Sequence, residues 1–357
     1  MTGRKANVVD LFSGCGGLSY GLSEAGYNIV LGSDNWKDSL DTFQHNHKHS
    51  SILLGDIRKI SSKQIQNHAN DIDIIVGGPP CQGFSLTGPR NFYDERNKLY
   101  IEFLRVVKDI KPKAFIIENV PGLATLFKGQ VKDRIIEEFS KIGYSVTSKI
   151  LNASDYGVPQ NRKRIFFVGL KSKKTFEFPY PTHFDQKALP IFEKKVTVWD
   201  AISDLPLLDG EYLGEEISDY TLSPQTEYQK AMRKDSSKLY NHVAALHKKT
   251  TRQIISLVPE GKNYKSLPDK YRNSRNFHIA WTRLDRNRPA PTIDTGHRHH
   301  FHPIANRVPT VRESARLQSF PDKFVFTNSK TSQYTQVGNA VPPLLAKKIG
   351  DKLLEYL

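Results

Sequence analysis

The stretch Asn7-Val8-Val9-Asp10-Leu11-Phe12-Ser13-Gly14-Cys15-Gly16-Gly17-Leu18 decides the fold of this chain. Its first half predicts a strand, and the glycines then open a helix that runs to Ala25. A glycine turn between a strand and a helix lets a ligand lie against backbone amides at the helix N-terminus. Ser19 stands where the dinucleotide fingerprint requires its third glycine, which disfavours a nicotinamide cofactor.

Further apolar runs alternate with helix-like segments along the first half of the chain. Helices are predicted from the end of the second strand to His45 and over 98–110, where apolar residues recur at helical spacing. Strands that alternate with helices favour an α/β fold, with a mostly parallel sheet and helices on both faces. The predicted strands after the first one are 27–32, 52–55, 71–76, 113–117, 144–151 and 164–170.

The character of the sequence changes after Lys171. Prolines at 179, 181, 190 and 206 interrupt the alternation and predict a second domain with short, irregular elements. Helical patterns return at 309–317 and at 342–357. We therefore expect a first domain over 1–175, a second over 176–304, and a final segment over 305–357 that returns to the first domain.

The charge of the chain points to a polyanionic partner. Among 357 residues, 52 Lys and Arg face 37 Asp and Glu, which gives a formal net charge of +15. Because neutralised phosphates release counterions, nucleic acid is favoured over a membrane or ribosome surface. No apolar run approaches the ~20 residues that span a bilayer. With two cysteines and no signal-like start, we expect a cytoplasmic protein.

A second glycine turn carries a cysteine. In Gly77-Gly78-Pro79-Pro80-Cys81-Gln82-Gly83-Phe84-Ser85, two glycines permit a tight turn after a strand, and two prolines stiffen it. Open α/β sheets place reactive groups in such loops. The turn makes Cys81 a candidate nucleophile, but an isolated cysteine is more often inert and buried, and the turn alone leaves that alternative favoured.

Charged residues follow several of the other predicted strands. Asp34 and Asp56 suit the hydroxyl and amino groups of a nucleoside-type cofactor, or else they cap helices. Glu118 should emerge at the same edge of the sheet as Cys81, where it could donate a proton or bind a substrate ring, or else cap a helix. Arg162 and Arg164 alternate with Lys163, so both could lie on one side of an extended segment and bind a phosphate or a base carbonyl. A solvated basic edge is the alternative.

These motifs, in this order, resemble those of the cytosine carbon-5 DNA methyltransferases. The resemblance covers about 7–170 and 305–350, and the region between them corresponds to the variable target-recognition region of the family. Six segments carry it, namely Phe12–Gly17, Pro79–Gln82, Glu118–Val120, Gln160–Arg164, Arg312–Asp322 and Gln336–Pro343.

The resemblance implies a Rossmann-like fold that binds S-adenosyl-L-methionine, plus a smaller irregular target-recognition domain. It assigns catalysis to Cys81, Glu118 and Arg164, supported by Arg162, and it makes Cys15 a small packing residue. The implied cofactor contacts are Phe12, Ser13, Gly14, Gly16, Gly17, Asp34, Asn35, Asp56, Ile57, Pro79, Asn339 and Ala340.

The family's chemistry implies a covalent mechanism without a metal. The Cys81 thiolate would add to carbon 6 of a cytosine that has been flipped out of double-stranded DNA. Gln82, Ser85 and Arg96 would contact DNA from a loop that closes over the flipped base. Two alternatives stay open: a methyltransferase acting on tRNA cytosine, and a catalytically silent nucleic-acid-binding protein.

The segment 296–303 is dense in His and Arg. Zinc is disfavoured there because no cysteine or ordered helical spacing accompanies the histidines. Arg298, with Arg283, Arg286 or Arg288, is the candidate reader of guanine in the major groove. The compact layout resembles a bacterial restriction–modification methylase. We therefore expect a monomer that forms no stable complex with a cognate restriction endonuclease.

Overall fold

The computed structural model of the chain describes residues 4–69, 71–80, 99–185, 192–210, 212–272, 281–295 and 299–357. They divide into two compact units. Unit 1 comprises the described residues up to Asn152, with Lys163–Tyr180 and Ala340–Leu357. Unit 2 comprises Ala153–Arg162 and the described residues of Pro181–Asn339.

The helices and strands are as follows, in chain order. Those up to residue 170 are β1 (Asn7–Leu11), α1 (Gly17–Glu24), β2 (Asn28–Asp34), α2 (Lys37–Asn46), β3 (Ser51–Leu54), α3 (Ser62–His68), β4 (Ile74–Gly77), α4 (Leu99–Ile110), β5 (Ala114–Asn119), α5 (Gly122–Thr125), α6 (Gln130–Lys141), β6 (Ser145–Asn152), β7 (Gln160–Asn161) and β8 (Lys163–Leu170). Those after it are β9 (His183–Phe184), β10 (Glu193–Lys194), α7 (Val198–Ile202), β11 (Ile217–Ser218), α8 (Glu227–Arg233), β12 (Leu239–Tyr240), α9 (Lys249–Ser256), α10 (Asp269–Arg272), β13 (Thr282–Arg283), β14 (Ala290–Pro291), β15 (His300–Phe301), α11 (Val311–Leu317), α12 (Lys330–Asn339) and α13 (Pro343–Leu353).

Unit 1 is built on one sheet. Within the described residues, seven strands form it in the order β3-β2-β1-β4-β5-β8-β6. Strands β1 to β5 are parallel to one another, whereas β8 is antiparallel to both β5 and β6. The predicted mostly parallel sheet is confirmed. Strand β8 runs backwards because the short segment Ala153–Arg162 contains no crossover helix of the kind that a parallel connection needs.

Both faces of the sheet are buried. On β5, Phe115 and Ile117 belong to one apolar cluster with α3, α4 and α6, while Ile116 between them is equally buried and points to the other face. Strands covered on both sides need continuous apolar runs, and these runs made the sheet predictable.

The second face packs on α1 and α13. Gly21 of α1 lies so close to α13 that a β-carbon there would collide with the carbonyl of Pro343 and the side chain of Ala346. The Tyr27 hydroxyl donates to the carbonyl of Gly350, 2.8 Å away. The first and the last helices thus share one interface.

Unit 2 is made of short elements, as the sequence predicts, and it contains buried ion pairs beside its apolar cores. Helix α11 carries Arg316, whose fully buried guanidinium donates to the carboxylates of Asp204 and Asp322 at 2.7–3.3 Å. These contacts place α11 with unit 2. The boundary expected at residue 305 therefore differs from the structural division, in which unit 1 resumes only at Ala340.

None of the helices in the described part of the chain is long and apolar enough to cross a bilayer.

Candidate active site

The turn after β1 is tightly wound. Phe12, Gly14 and Gly16 all have positive φ angles, of 60°, 53° and 92°. The amide of Ser13 donates to the carbonyl of Ser33 at 3.0 Å, which ties the turn to β2. A left-handed conformation at a phenylalanine is strained, and such strain concentrates at ligand sites. The turn is a candidate ligand cradle that α1 follows.

Asp34 braces this turn from the end of β2. Its Oδ2 accepts from the amide of Gly14 at 2.8 Å, and its Oδ1 accepts from the amide of Trp36 at 2.9 Å. Burial raises the pKa of this carboxyl, although the backbone hydrogen bonds oppose the rise. Each carboxylate oxygen has a second lone-pair site, so Asp34 can also accept from ligand hydroxyls. Asn35, beside it, is exposed.

Asp56 caps a helix, which is the alternative that the sequence left open for it. Its carboxylate caps the short helix Ile57–Lys59 and forms a forked ion pair with Arg58 at 2.6–3.0 Å. The Arg58 side chain lowers the pKa of Asp56. A ligand amino group would have to share this carboxylate with Arg58.

Asp10 and His47, two polar groups beside the turn, were not singled out from the sequence. Asp10 accepts from the Ser19 hydroxyl at 2.6 Å, and burial raises its pKa to about 7. His47 lies under the turn, with its Nε2 3.3 Å from the carbonyl of Gly16. The buried hydroxyl of Ser13 has no hydrogen-bond partner among the described residues. The one feature of the sequence that could have revealed these groups is Asp10 in the otherwise apolar β1, because burying a charge in a strand is costly.

Cys15 is buried, and burial raises the pKa of its thiol to about 12. It therefore carries no thiolate at neutral pH, in keeping with the packing role expected for it.

A carboxylate and a guanidinium meet at the end of β4. An ideal β-carbon at Gly78 would lie 3.2 Å from Oε2 of Glu118, so the carboxylate rests against this glycine. Oε1 of Glu118 lies 2.9 Å from Nε of Arg164 on β8, and both side chains are largely buried. Because β5 and β8 are neighbours, the sheet itself brings these two predicted residues together.

Asn119 holds the stem of the cysteine loop. Its Nδ2 donates to the carbonyl of Pro79 at 2.9 Å, and its Oδ1 accepts from the amide of Val120. The last part of the stem is thereby fixed to β5, beside Glu118. Cys81, Gln82, Ser85 and Arg96 lie outside the described residues.

Arg162 does not share partners with Arg164, contrary to the expected one-sided pair. Its buried guanidinium donates to the carbonyls of Ile293 and Gly338, at 3.3 and 2.8 Å, inside unit 2. The reason is that the extended run is broken at 162, and the two arginines belong to different units. Asn339, which ends α12, is exposed, and Ala340 begins the last part of unit 1.

The arginines considered as base readers have different surroundings. Arg283 is buried and donates to four backbone carbonyls and to Asn306, so it is not available to DNA. Arg286 pairs with Glu260 at 3.0 Å. Arg288 is 80% exposed and lies 3.5 Å from Asp285. Arg298 lies outside the described residues.

The described histidines of the 296–303 segment have structural contacts. Nδ1 of His302 accepts from the amides of Ile304 and Ala305, and burial lowers the pKa of His300 and of His302 to about 4. Within the described ranges, no three His, Cys, Asp or Glu side chains are grouped as metal ligands.

Comparison with known proteins agrees with this geometry. Residues 6–355 match the model of the C-5 cytosine-specific DNA methylase family. The chain is 39% identical to the Type II methyltransferase M.DdeI of Desulfomicrobium norvegicum, covering 98% of this chain and 89% of the relative. It is 38% identical to M1.HphI of Haemophilus parahaemolyticus, covering 97% of this chain and 86% of that protein.

A solved structure is also similar over its full length. It is described as a DNA modification methyltransferase encoded within a prophage (E. coli), with 30% identity, a TM-score of 0.79, and coverage of 98% of this chain and 99% of that one. The sheet topology, the Glu118–Arg164 pair and these similarities lead to one conclusion: this chain belongs to the C-5 cytosine-specific DNA methylase family and is a DNA (cytosine-5-)-methyltransferase.

Proposed function

We propose that this methyltransferase uses S-adenosyl-L-methionine to methylate carbon 5 of a cytosine flipped out of double-stranded DNA. The observation that carries the proposal is the Glu118–Arg164 pair, which rests against Gly78 where the chain leads to Cys81. A family specific to DNA favours this substrate over tRNA. The intact pair of polar groups also argues against a catalytically silent protein.

The turn after β1 fits the cofactor. The buried Ser13 hydroxyl lacks a partner among the described residues, and the space beside Gly14 is open there. Asp34 retains lone pairs for ribose hydroxyls. When bound, S-adenosyl-L-methionine supplies a methyl group on a positively charged sulfur. The residues that would hold it are Phe12, Ser13, Gly14, Gly16, Gly17, Asp34, Asn35, Asp56, Ile57, Pro79, Asn339 and Ala340.

Cys81 is the nucleophile of the proposal. Its thiolate forms a bond to carbon 6 of the ring, and the electron pair of the 5,6 double bond makes carbon 5 enamine-like. After carbon 5 is methylated, loss of its proton restores the double bond, and the sulfur–carbon bond breaks to release the thiolate. The fixed stem at Pro79 supports this role, because it sets where the loop begins relative to Glu118.

Glu118 and Arg164 hold the ring. Glu118 hydrogen-bonds ring nitrogen 3 and the exocyclic amine, which favours charge build-up on the ring during attack. Arg164 uses Nε for Glu118 and Nη1 for the carbonyl of Lys163, and Nη2 is the arm that neither contact uses. That arm suits the ring carbonyl oxygen. Arg162, which the resemblance makes a support of the site, donates to the carbonyls of Ile293 and Gly338.

The DNA contacts of the proposal come from the loop after Cys81 and from unit 2. Gln82, Ser85 and Arg96 would contact DNA around the vacated base position. Flipping costs a few kcal/mol of unstacking, which such contacts offset. Arg298 is the proposed base reader.

Bisulfite-type sequencing of DNA from cells that express the chain would reveal the methylated base and its sequence context. With that site known, labelled-methyl transfer to a matching duplex tests the mechanism. Cys81→Ser should abolish transfer while DNA binding persists, and Cys15→Ala, the matched cysteine control, should retain transfer. Full activity of Cys81→Ser would refute covalent catalysis.

We also propose that the modification protects bacterial DNA from a cognate restriction endonuclease. The support is the naming of the relatives as Type II methyltransferases. The chain would act in the cytoplasm as a monomer, without a stable complex with the endonuclease. DNA from expressing cells should resist an endonuclease that cuts the methylated site, and complete cleavage of methylated DNA would contradict this role.

A further inference from the structure

Helix α9 presents a polar face to a surface cavity in unit 2. Lys249, Arg252, Gln253 and Ser256 follow the i, i+3, i+4, i+7 spacing that places side chains on one face of a helix. Ile255, which lies off this face, is buried in an apolar cluster. The polar face, together with His247 and Asn306, lines a cavity of about 350 Å³.

The side chains around this cavity are suited to an anion. An ammonium, a guanidinium, two amides and a hydroxyl supply hydrogen-bond donors, and none of the described lining residues is a carboxylate. Asp209 pairs with Arg252 at 2.7 Å, so it offsets that one positive charge. Lys249 is the exposed cation on this face, and Lys248 precedes it in the chain.

The cavity is rigidly built, because a buried guanidinium joins its two walls. Nη2 of Arg283 donates to the carbonyl of Ile255 on α9 at 2.6 Å and to Oδ1 of Asn306 at 2.9 Å. Nε of Arg283 donates to the carbonyl of Val258 at 2.6 Å. Since Oδ1 of Asn306 is engaged by Arg283, its amide NH₂ is the group that can serve the cavity.

We propose that this cavity binds a phosphate of the DNA backbone, with Lys249 as the main charge contact and Gln253, Ser256 and Asn306 as hydrogen-bond donors. The proposal rests on double-stranded DNA being the substrate. A set of donors centred on a cation matches phosphate oxygens, and phosphate and sugar receive most of the hydrogen bonds that proteins make to DNA. The net charge of +15 favours such a contact, because a positively charged protein attracts the phosphates of DNA.

The test measures the affinity of the protein for a duplex that contains the site it methylates and for an unrelated duplex of equal length. Both are measured over a range of salt concentrations. Lys249→Ala should weaken both complexes equally, about three- to tenfold. The slope of log K against log salt should become shallower by about one, because one fewer counterion is released. Lys249→Glu should weaken both complexes further.

The matched control is Lys230→Ala on α8, a lysine that is 57% exposed and paired with Glu227. It should leave affinity and salt slope unchanged. If Lys249→Ala behaves like this control, the cavity is not a phosphate site. If its loss is confined to the target duplex, the contact is to a base, and the phosphate assignment is overturned.

Methyl transfer by the wild-type chain distinguishes a failure of the phosphate site from a failure of the proposed DNA substrate. If the wild type methylates DNA and the Lys249 variants match the control, only the phosphate site fails. If the wild type neither binds nor methylates duplex DNA, the proposed substrate and the phosphate site fail together.

Discussion

Gly16 offers a quantitative test of how the cofactor turn is built. Its backbone has φ 92° and ψ 26°, and an ideal β-carbon would lie 2.6 Å from Nε2 of His47 and 2.7 Å from Cδ2 of Phe43. The left-handed conformation costs an alanine about 1–2 kcal/mol. Overpacking against the two rings adds about 1–3 kcal/mol. Gly16→Ala should therefore lower the free energy of unfolding by about 2–5 kcal/mol.

Gly26 provides the matched control. Its φ of 99° is similar, but an added β-carbon meets no described atom within 4 Å. Gly26→Ala should lose only the backbone contribution of about 1–2 kcal/mol. The difference between the two variants isolates the steric contribution of His47 and Phe43.

Urea unfolding followed by circular dichroism, with calorimetric binding of S-adenosyl-L-methionine, measures both consequences. Gly16→Ala should also bind the cofactor more weakly, whereas Gly26→Ala should bind it normally. Combining Gly16→Ala with His47→Ala should recover part of the steric loss, because one of the two colliding rings is removed. Equal destabilisation at both glycines, together with unchanged cofactor binding, would refute the reasoning.

Two further changes test buried charges. Because the folded pKa of Asp10 is about 7 and an unfolded aspartate has a pKa near 4, the folded chain holds an extra proton between about pH 4 and 7, and stability falls as pH rises through that window. Asp10→Asn should remove this pH dependence and raise the free energy of unfolding at pH 8 by up to about 4 kcal/mol. The measurement is the urea midpoint of variant and wild type between pH 4 and 8, and the same change of midpoint with pH in both proteins would contradict the prediction. Arg316→Met should cost about 3–5 kcal/mol, because it removes the guanidinium that the buried Asp204 and Asp322 share and leaves them only the longer ionic contacts to Arg233 at 3.3 Å and Arg312 at 3.8 Å. Thermal melts beside the exposed Lys230→Met check this, and similar melting temperatures for the two variants would argue against it.

The sheet could be predicted because its strands are apolar on both faces. The run Ile74–Gly77 and the run Ala114–Asn119 are almost entirely buried, so their sequences carry a strong local signal. The pairing of Glu118 with Arg164 was only partly predictable. Each residue was identified, but their contact depends on β8 running backwards beside β5.

Longer-range contacts explain what the sequence did not reveal. Arg162 and Arg283 looked like ligand-binding arginines, yet both are buried donors to backbone carbonyls. No local pattern distinguishes an arginine that binds DNA from one that satisfies distant carbonyls. The grouping of α11 with unit 2 has the same origin, since the buried partners of Arg316 include Asp204, more than a hundred positions earlier.

The shared interface of α1 and α13 has a consequence for the order of folding during synthesis. Helix α1 is made near the start, but α13, against which Gly21 packs, is made only after residues 181–339 of unit 2. At ribosomal rates this interval lasts on the order of tens of seconds. Throughout it, the apolar face of α1 with Leu18 and Leu22 lacks its final cover. The nascent chain therefore exposes the apolar face of its first helix. We expect chaperones to bind this face until α13 has been synthesised and packs against it.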